Sequence, residues 1–315
     1  MTAQSFTHTS IHTSHRPLNG QQDAMRVRQL LIDSYTRMGR EFNWETRRWE
    51  GWYWTITDAE RDTPMRGSQA HIWETAEGQI LGAAVPEEPG DLSILIHPDY
   101  RALEEDILTW AEDHLAVTHE TGQRQLRTWA FDWDTDRQDR LRRHGFVANS
   151  SDCFQHRRRL ASDPVDDVPL PEGYSLRSIT ATNEDVEGWV TCTNATFGQT
   201  YLPEMHRNFQ VDSPSHNYDL HIVAVAPDGT FAAFAGLTVD DTNRTATFEP
   251  VGTHPDHRRK GLARAAMYEG IRRLQALGRA DVVYVANWGT AEAGQFYAAI
   301  GMAHYATLTA WDKIF

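Results

Sequence analysis

Thr245-Ala-Thr-Phe-Glu-Pro-Val-Gly-Thr253, then His254-Pro-Asp-His257, then Arg258-Arg-Lys-Gly-Leu-Ala263 is the stretch that decides the fold. The first part reads as a strand, the second as a turn, and the third opens a helix. Arg258, Arg259, Lys260 and Arg264 fall within seven positions of a chain whose formal net charge is -14, so the stretch is a local anion site. A helix N-terminus adds unpaired backbone N–H groups and a partial positive charge. Gly261 has no side chain to obstruct a phosphate there, and Ala263 stays small in the first turn. Behind it Leu262, Ala266, Met267, Ile271, Leu274 and Leu277 recur at helical spacing, and Gly278 ends the helix.

The pattern Arg258-x-x-Gly261-x-Ala263 is not a Walker loop, since no Gly-Lys-Ser/Thr follows, and it is not G-x-G-x-x-G. Between a strand and a helix it resembles the acyl-CoA pyrophosphate loop of the GNAT superfamily of N-acyltransferases. Downstream, Val282-Val-Tyr-Val-Ala-Asn287 and Ala293-Gly-Gln-Phe-Tyr297-Ala-Ala-Ile-Gly301-Met302 resemble the strand, Asn and helix of the same superfamily, whose Tyr sits beside the thioester sulfur. The resemblance implies acetyl-CoA as co-substrate, bound by Arg258, Arg259, Lys260, Gly261, Leu262 and Ala263 at the loop and by Val251, Thr253 and Asn287 on the strands. It also implies Glu249 as general base and Tyr297 as the acid that protonates the departing thiolate. Without the resemblance, Glu249 reads as an exposed or ion-paired strand carboxylate, Asn287 as a helix cap and Tyr297 as a buried helix aromatic.

Pro250 removes a ladder donor from a central strand, which calls for a bulge or an edge. GNAT sheets split at this place, and the resemblance implies that the N–H of Val251 faces the thioester carbonyl while Thr253 or its neighbours hold the pantetheine. Neither Cys153 nor Cys192 falls in these motifs. Direct transfer in a ternary complex is therefore expected rather than an acyl-enzyme.

The first half carries an echo of the same stretch. His97-Pro-Asp-Tyr-Arg101 repeats His254-Pro-Asp-His-Arg258 at an offset of 157, and His144-Gly-Phe146 matches the position of Ile300-Gly-Met302 at an offset of 156. Two agreeing offsets, with hairpin, strand and helix in the same order, mean a duplicated domain. The alignment sets Glu104, Glu105 and Asp106 opposite Gly261, Leu262 and Ala263, where they would repel a diphosphate. Leu92, Leu141 and Phe131 stand opposite Glu249, Tyr297 and Asn287. The expected fold is α/β (α+β): two tandem GNAT-like domains, each a mixed, mostly antiparallel twisted sheet flanked by helices and split at its central strand. Residues 1–160 form a degenerate copy, 161–172 a Pro-rich acidic linker, and 173–315 the catalytic copy.

Around these landmarks the spacing predicts a helix over 21–38, hairpins at 69–85 and 221–239, a strand over 174–179 and a helix over 183–197. A loop is expected over 198–219, and a strand over 306–311 that closes the sheet. Phe42, Trp44, Trp49, Trp52, Tyr53 and Trp54 cluster as packing surface or as a cage for a cation.

A chain of 315 residues suits two domains. Two cysteines allow no disulfide framework, and His8, His12 and His15 have metal spacing but no supporting carboxylates or cysteines, so no metal is expected. Acidity argues against nucleic acid and favours a cationic partner. No apolar run of membrane-spanning length and no signal sequence is seen, so no membrane association and a cytoplasmic location are expected.

The leading expectation is an acetyl-CoA-dependent N-acetyltransferase acting on a small-molecule amine or a protein N-terminus. The alternatives are a non-catalytic acyl-CoA-binding sensor or interaction protein, and a structural partner that uses the aromatic segment as its face.

Overall fold

The computed structural model describes residues 13–61, 70–120 and 122–315; His8 and His12 lie outside them. The first half runs β1 (Thr13–Pro17), α1 (Gly20–Met38), α2 (Thr46–Trp54), α3 (Asp58–Arg61), β2 (His71–Thr75), β3 (Ile80–Val85), β4 (Asp91–Ile96), α4 (Leu103–His114), β5 (Val117–Thr118), β6 (Arg124–Phe131), α5 (Thr135–Arg143) and β7 (Val147–Leu160). The second runs β8 (Ser175–Ser178), α6 (Asn183–Phe197), α7 (Pro203–Asp212), β9 (His221–Val225), β10 (Phe231–Asp240), β11 (Thr245–Thr253), α8 (Leu262–Leu277), β12 (Val282–Trp288), α9 (Ala291–Ala299) and β13 (Ala303–Ile314).

From the hairpin onward the two halves repeat one another. Each central strand ends in a one-turn 3-10 helix, Pro98–Tyr100 or Pro255–His257. In each, the preceding histidine accepts the N–H two residues on: His97 from Asp99 at 3.2 Å and His254 from Asp256 at 3.3 Å.

The strands form one sheet in the order β1-β2-β3-β4-β6-β13-β7-β12-β11-β10-β9-β8, with β5 beside β6. Pairing is antiparallel except at β4–β6 and β11–β12. The last strand does not close the sheet as the sequence suggested. β13 lies inside it, pairing Leu308↔Phe131 through Ile314↔Gln125 with β6 of the first half, while β7 pairs Leu160↔Val282 through Phe154↔Trp288 with β12 of the second. Each half thus gives its final strand to the sheet of the other. The exchange removes two long edges of unpaired backbone that either half would otherwise present.

Helix α8 buries Leu262, Ala266, Met267, Ile271 and Leu274 of the stripe its spacing predicts, leaves Leu277 at the end of that stripe exposed, and ends at Gly278 in the left-handed region. Each large aliphatic side chain buried this way contributes about 1.5–3 kcal/mol.

The segment expected as a loop over 198–219 contains a helix instead. Pro203 stands in the first turn of α7, where its missing N–H costs nothing. Phe209 is buried and packs into the aromatic and aliphatic core of the first half with Leu30, Leu31 and Trp49. Asn208 Nδ2 donates to Ile56 O at 2.8 Å, and Ser213 and Ser215 donate to the fully buried Glu50 carboxylate, which also pairs with Arg28 at 2.7 Å. These contacts tie α7 and the residues after it to the first half. Among the described residues no helix is long and apolar enough to cross a membrane.

Candidate active site

The parallel ladder between β11 and β12 runs only from Thr245↔Val282 to Thr247↔Tyr284. Beyond it the strands part. On the other side, β11 pairs with β10 through a register shift between Ala235 and Leu237, with Glu249 and Pro250 together opposite Gly236. That is the bulge Pro250 calls for. The His254 N–H bonds to Ala232 O at 2.9 Å. By the alternation of an antiparallel pair, the N–H groups of Val251 and Thr253 then turn away from β10 into the opening. Both are hydrogen-bond donors facing a gap between strands, which suits an extended amide-bearing chain.

At the top of the gap lies the basic loop. Gly261 is the N-cap of α8 with φ +76°, and Arg259 also has a positive φ, +63°. A non-glycine residue in the left-handed region is uncommon and marks a loop shaped for a purpose. A Cβ on Gly261 would meet nothing closer than Val168 Cγ1 at 3.7 Å, so glycine is needed there for its backbone and for open access. Among the described residues none of Arg258, Arg259, Lys260 and Arg264 forms an ion pair. Arg258 reaches Thr253 O at 3.5 Å and Lys260 Nζ donates to Tyr174 OH at 2.7 Å. The uncompensated charge and the helix N-terminus suit a diphosphate. Leu262 is buried among Ala224, Ala232 and Ala233, so it and Ala263 offer backbone rather than side chain.

The gap opens into a cavity of about 790 Å³ between the two halves. Glu249, Val251, Asn287 and Tyr297 line it from the second half; Glu41, Trp44, Glu45, Arg47, Trp52 and Trp129 do so from the first. The aromatic segment therefore divides, Trp49 and Trp54 being core while Trp44 and Trp52 reach the wall.

Tyr297 is 8% exposed. Burial, and then the neighbouring Glu249 charge, push its phenol up to about 12 against the opposing pull of Arg157, so it holds its proton throughout the neutral range. Asn287 does not cap α9; Thr290 does, accepting from Ala293 N. Asn287 instead accepts from Arg157 Nε at 3.1 Å and donates to Trp288 O at 2.6 Å.

The first half has the same split, since β4 and β6 pair only at Asp91↔Arg127 and Leu92↔Thr128. Here it is filled from within. The side-chain amide of Asn43 donates to Ile96 O at 2.8 Å and accepts from Ile96 N at 3.0 Å, taking the strand position equivalent to Thr253. Glu104 is fully buried and paired with Arg101 at 2.7 Å and Arg137 at 3.1 Å, while Glu105 pairs with Arg140 and Arg143. Leu92, Leu141 and Phe131 are buried core residues.

Sequence reasoning missed the residues that the first half contributes, namely Glu45, Arg47, His156 and Arg157. Arg47 Nε donates to Glu249 O at 3.2 Å across 202 positions of chain, a contact that no local pattern signals. The tertiary structure also gathers a histidine cluster at α7. His206 and His221 stack on Trp189 and His216 packs on His221, and among the described residues neither ring nitrogen of His216 or His221 has a partner. Burial lowers His206 to about 3 and His216 to about 4, and takes His221 well below its ordinary value. Each ring binds a proton less readily folded than unfolded. Its contribution is therefore intact above pH about 6.5 and lost as pH falls below that. One such ring costs about 2 kcal/mol of stability between pH 7.5 and 5. Thermal melts across that interval should show the loss, and His221→Phe should flatten it; equal slopes in parent and variant would remove the cluster as its cause. Among the described residues no group of His, Cys, Asp or Glu is placed to hold a metal ion.

Residues 186–302 match the profile of the acetyltransferase (GNAT) family. A mycothiol acetyltransferase of Pseudarthrobacter chlorophenolicus is 26% identical over 256 residues, covering 76% of this chain and 74% of that protein. Two solved structures share the fold across both halves. A GCN5-related N-acetyltransferase from Sphaerobacter thermophilus has a TM-score of 0.63 at 17% identity, covering 96% of this chain and 95% of its own. A tandem GNAT protein from the clavulanic acid biosynthesis pathway has a TM-score of 0.65 at 16% identity, covering 96% and 98%. With the loop, the split strands and the cavity beneath them, the profile match places an acetyltransferase (GNAT) domain in residues 186–302, and the fold similarity to GNAT proteins extends over both halves.

Proposed function

We propose that the protein transfers an acetyl group from acetyl-CoA to a primary amine by direct attack in a ternary complex, with one working site per chain. The observation that carries this reading is the continuous path from the basic loop, through the β11–β12 gap, to the cavity that holds Glu249 and Tyr297. Arg258, Arg259, Lys260 and the N–H groups around Gly261, Leu262 and Ala263 hold the diphosphate. Thr253 holds the pantetheine amide, with Asn287 fixing the facing strand through Arg157. The Val251 N–H meets the charge that develops on the thioester oxygen. Glu249 receives a proton from the acceptor, and Tyr297 gives its own to the sulfur as the C–S bond breaks.

The division of labour follows the sequence halves. Residues 173–315 carry the chemistry, 161–172 link, and 1–160 form a degenerate copy that walls the acceptor side. Asn43 in the first split and the Glu104 ion pairs at the first helix support that assignment. Release of free thiol from acetyl-CoA with a panel of primary amines tests the reading. Acetyl-CoA binding without thiol release from any amine would favour a sensor instead.

Replacing the base should give a rate that depends on pH. Glu249→Gln keeps the shape, so the deficit, about tenfold to 100-fold at pH 7, shrinks as pH rises and free amine accumulates. A deficit independent of pH would assign deprotonation elsewhere.

A further inference from the structure

The residue before α2 stands at an N-cap position but makes no capping hydrogen bond. It is Glu45, which lines the cavity together with Glu249, near enough for the Glu249 charge to act on its carboxyl. Its Oε2 is shut off from solvent and has no partner among the described residues. Beside it on the same wall, His156 is nine-tenths buried with Nδ1 held by Glu41 Oε2 at 3.0 Å, which leaves a partnerless Nε2 at the cavity. Two neighbouring carboxyls, each from a different half, with an orphan acceptor oxygen and an orphan imidazole nitrogen on the same wall, form a site whose acceptors are not all met, although the Arg48 guanidinium, its own Nε unpartnered among the described residues, stands at the same wall.

We propose that the acceptor enters as an ammonium ion held between Glu45 and Glu249, and that this pair of carboxyls, one from each half of the chain, takes its proton. The inference rests on the transferase reading above and deepens it by assigning the acceptor's charge and a specificity residue from the first half.

Neighbouring like charges within a buried wall do not both ionise, so the empty pair shares a proton. Burial, and then the Glu249 charge, hold the Glu45 carboxyl well above its ordinary range; Glu41 adds to this and Arg48 opposes it. Arg48 is itself engaged by Glu87 at 2.5 Å and lies over the Trp44 and Phe154 rings. The raised proton affinity of Glu45 makes it a stronger base toward ammonium than an ordinary glutamate. The aromatic walls formed by Trp44, Trp129 and Phe154 add faces that favour a cation. One ammonium proton passes to the pair, and the freed lone pair forms the N–C bond as the C–S bond breaks. The sulfur takes the Tyr297 proton, the new amide nitrogen returns one to the tyrosinate, and the pair releases its own to solvent. Ammonium ion and thioester thus become amide, thiol and one free proton.

Calorimetry with benzylammonium as probe, and with benzyl alcohol as its neutral counterpart, tests the site without requiring turnover. The parent should bind benzylammonium at least about tenfold more tightly than the alcohol. Glu45→Gln should lose about tenfold or more of that affinity, while Glu45→Asp retains most of it and acetyl-CoA binds both variants within twofold of the parent. Equal binding of probe and alcohol, no binding of the probe by the parent, or parent-like binding by a folded Glu45→Gln would overturn the proposal. Absence of thiol release with every amine, alongside ammonium binding that depends on Glu45, would remove the transferase reading and leave the site standing.

Discussion

Gly261→Asp abolishes acetyl-CoA binding while the protein stays folded. Two unit charges about 4 Å apart interact by about 4 kcal/mol at an effective dielectric near 20, and solvent at the exposed loop screens part of that. A loss of at least about 100-fold remains, at 1.4 kcal/mol per factor of ten. The backbone permits a clean control. Gly261 has φ +76°, and both Asp and Asn tolerate the left-handed region better than other side chains. Gly261→Asn therefore carries the same bulk and strain without the charge, and should bind within about tenfold of the parent. Calorimetry should also count one acetyl-CoA per parent chain and none in Gly261→Asp. A second site in the parent, or one surviving in the Asp variant, would mean that the first half binds the co-substrate despite Asn43 and Glu104.

Tyr297→Phe lowers turnover by about 100-fold or more, the usual cost of losing a general acid, and leaves acetyl-CoA affinity within threefold. The phenol is 8% exposed and packs in the core beside Val285 and Ile300. Removing one oxygen keeps the ring in place, so stability and binding should persist while the proton for sulfur is lost. Because burial and Glu249 push this group up to about 12, the parent should show no basic limb from it below about pH 10. Turnover within twofold of the parent would assign the proton to water or another group. A basic limb that disappears in Tyr297→Phe would instead mean that the phenol ionises in the working range.

Much of the second half was legible because its signals are local. The strand Thr245–Thr253, helix Leu262–Leu277 and helix Asn183–Phe197 lie where apolar period, turn residues and glycine stops put them. Glu249, Val251 and Tyr297 were singled out by the resemblance to the GNAT superfamily that the basic loop and the downstream block carry, and the structure gathers them around one cavity. Pro250 told of a bulge because a missing N–H has a local consequence. The offset of 157 likewise announced duplication, since repeated order survives in the sequence after the chemistry has changed.

The helix Pro203–Asp212 was read as loop because its buried face, His206, Phe209 and Gln210, is mostly polar, so no apolar stripe marks it. Its shape is decided by docking onto the first half.

By itself, then, the sequence determined most elements of the second half, the repeated order and the position of the basic loop, all set by interactions within about a dozen neighbouring residues. Only the tertiary structure decided that β7 and β13 trade halves, that Asn43 fills the first split, and that Glu45 neighbours Glu249. These contacts join residues far apart in the chain. Backbone hydrogen bonding pairs any strand with any compatible edge, and a carboxyl carries no mark of its distant partner, so such choices are fixed by which surfaces pack together and leave no period or motif to read.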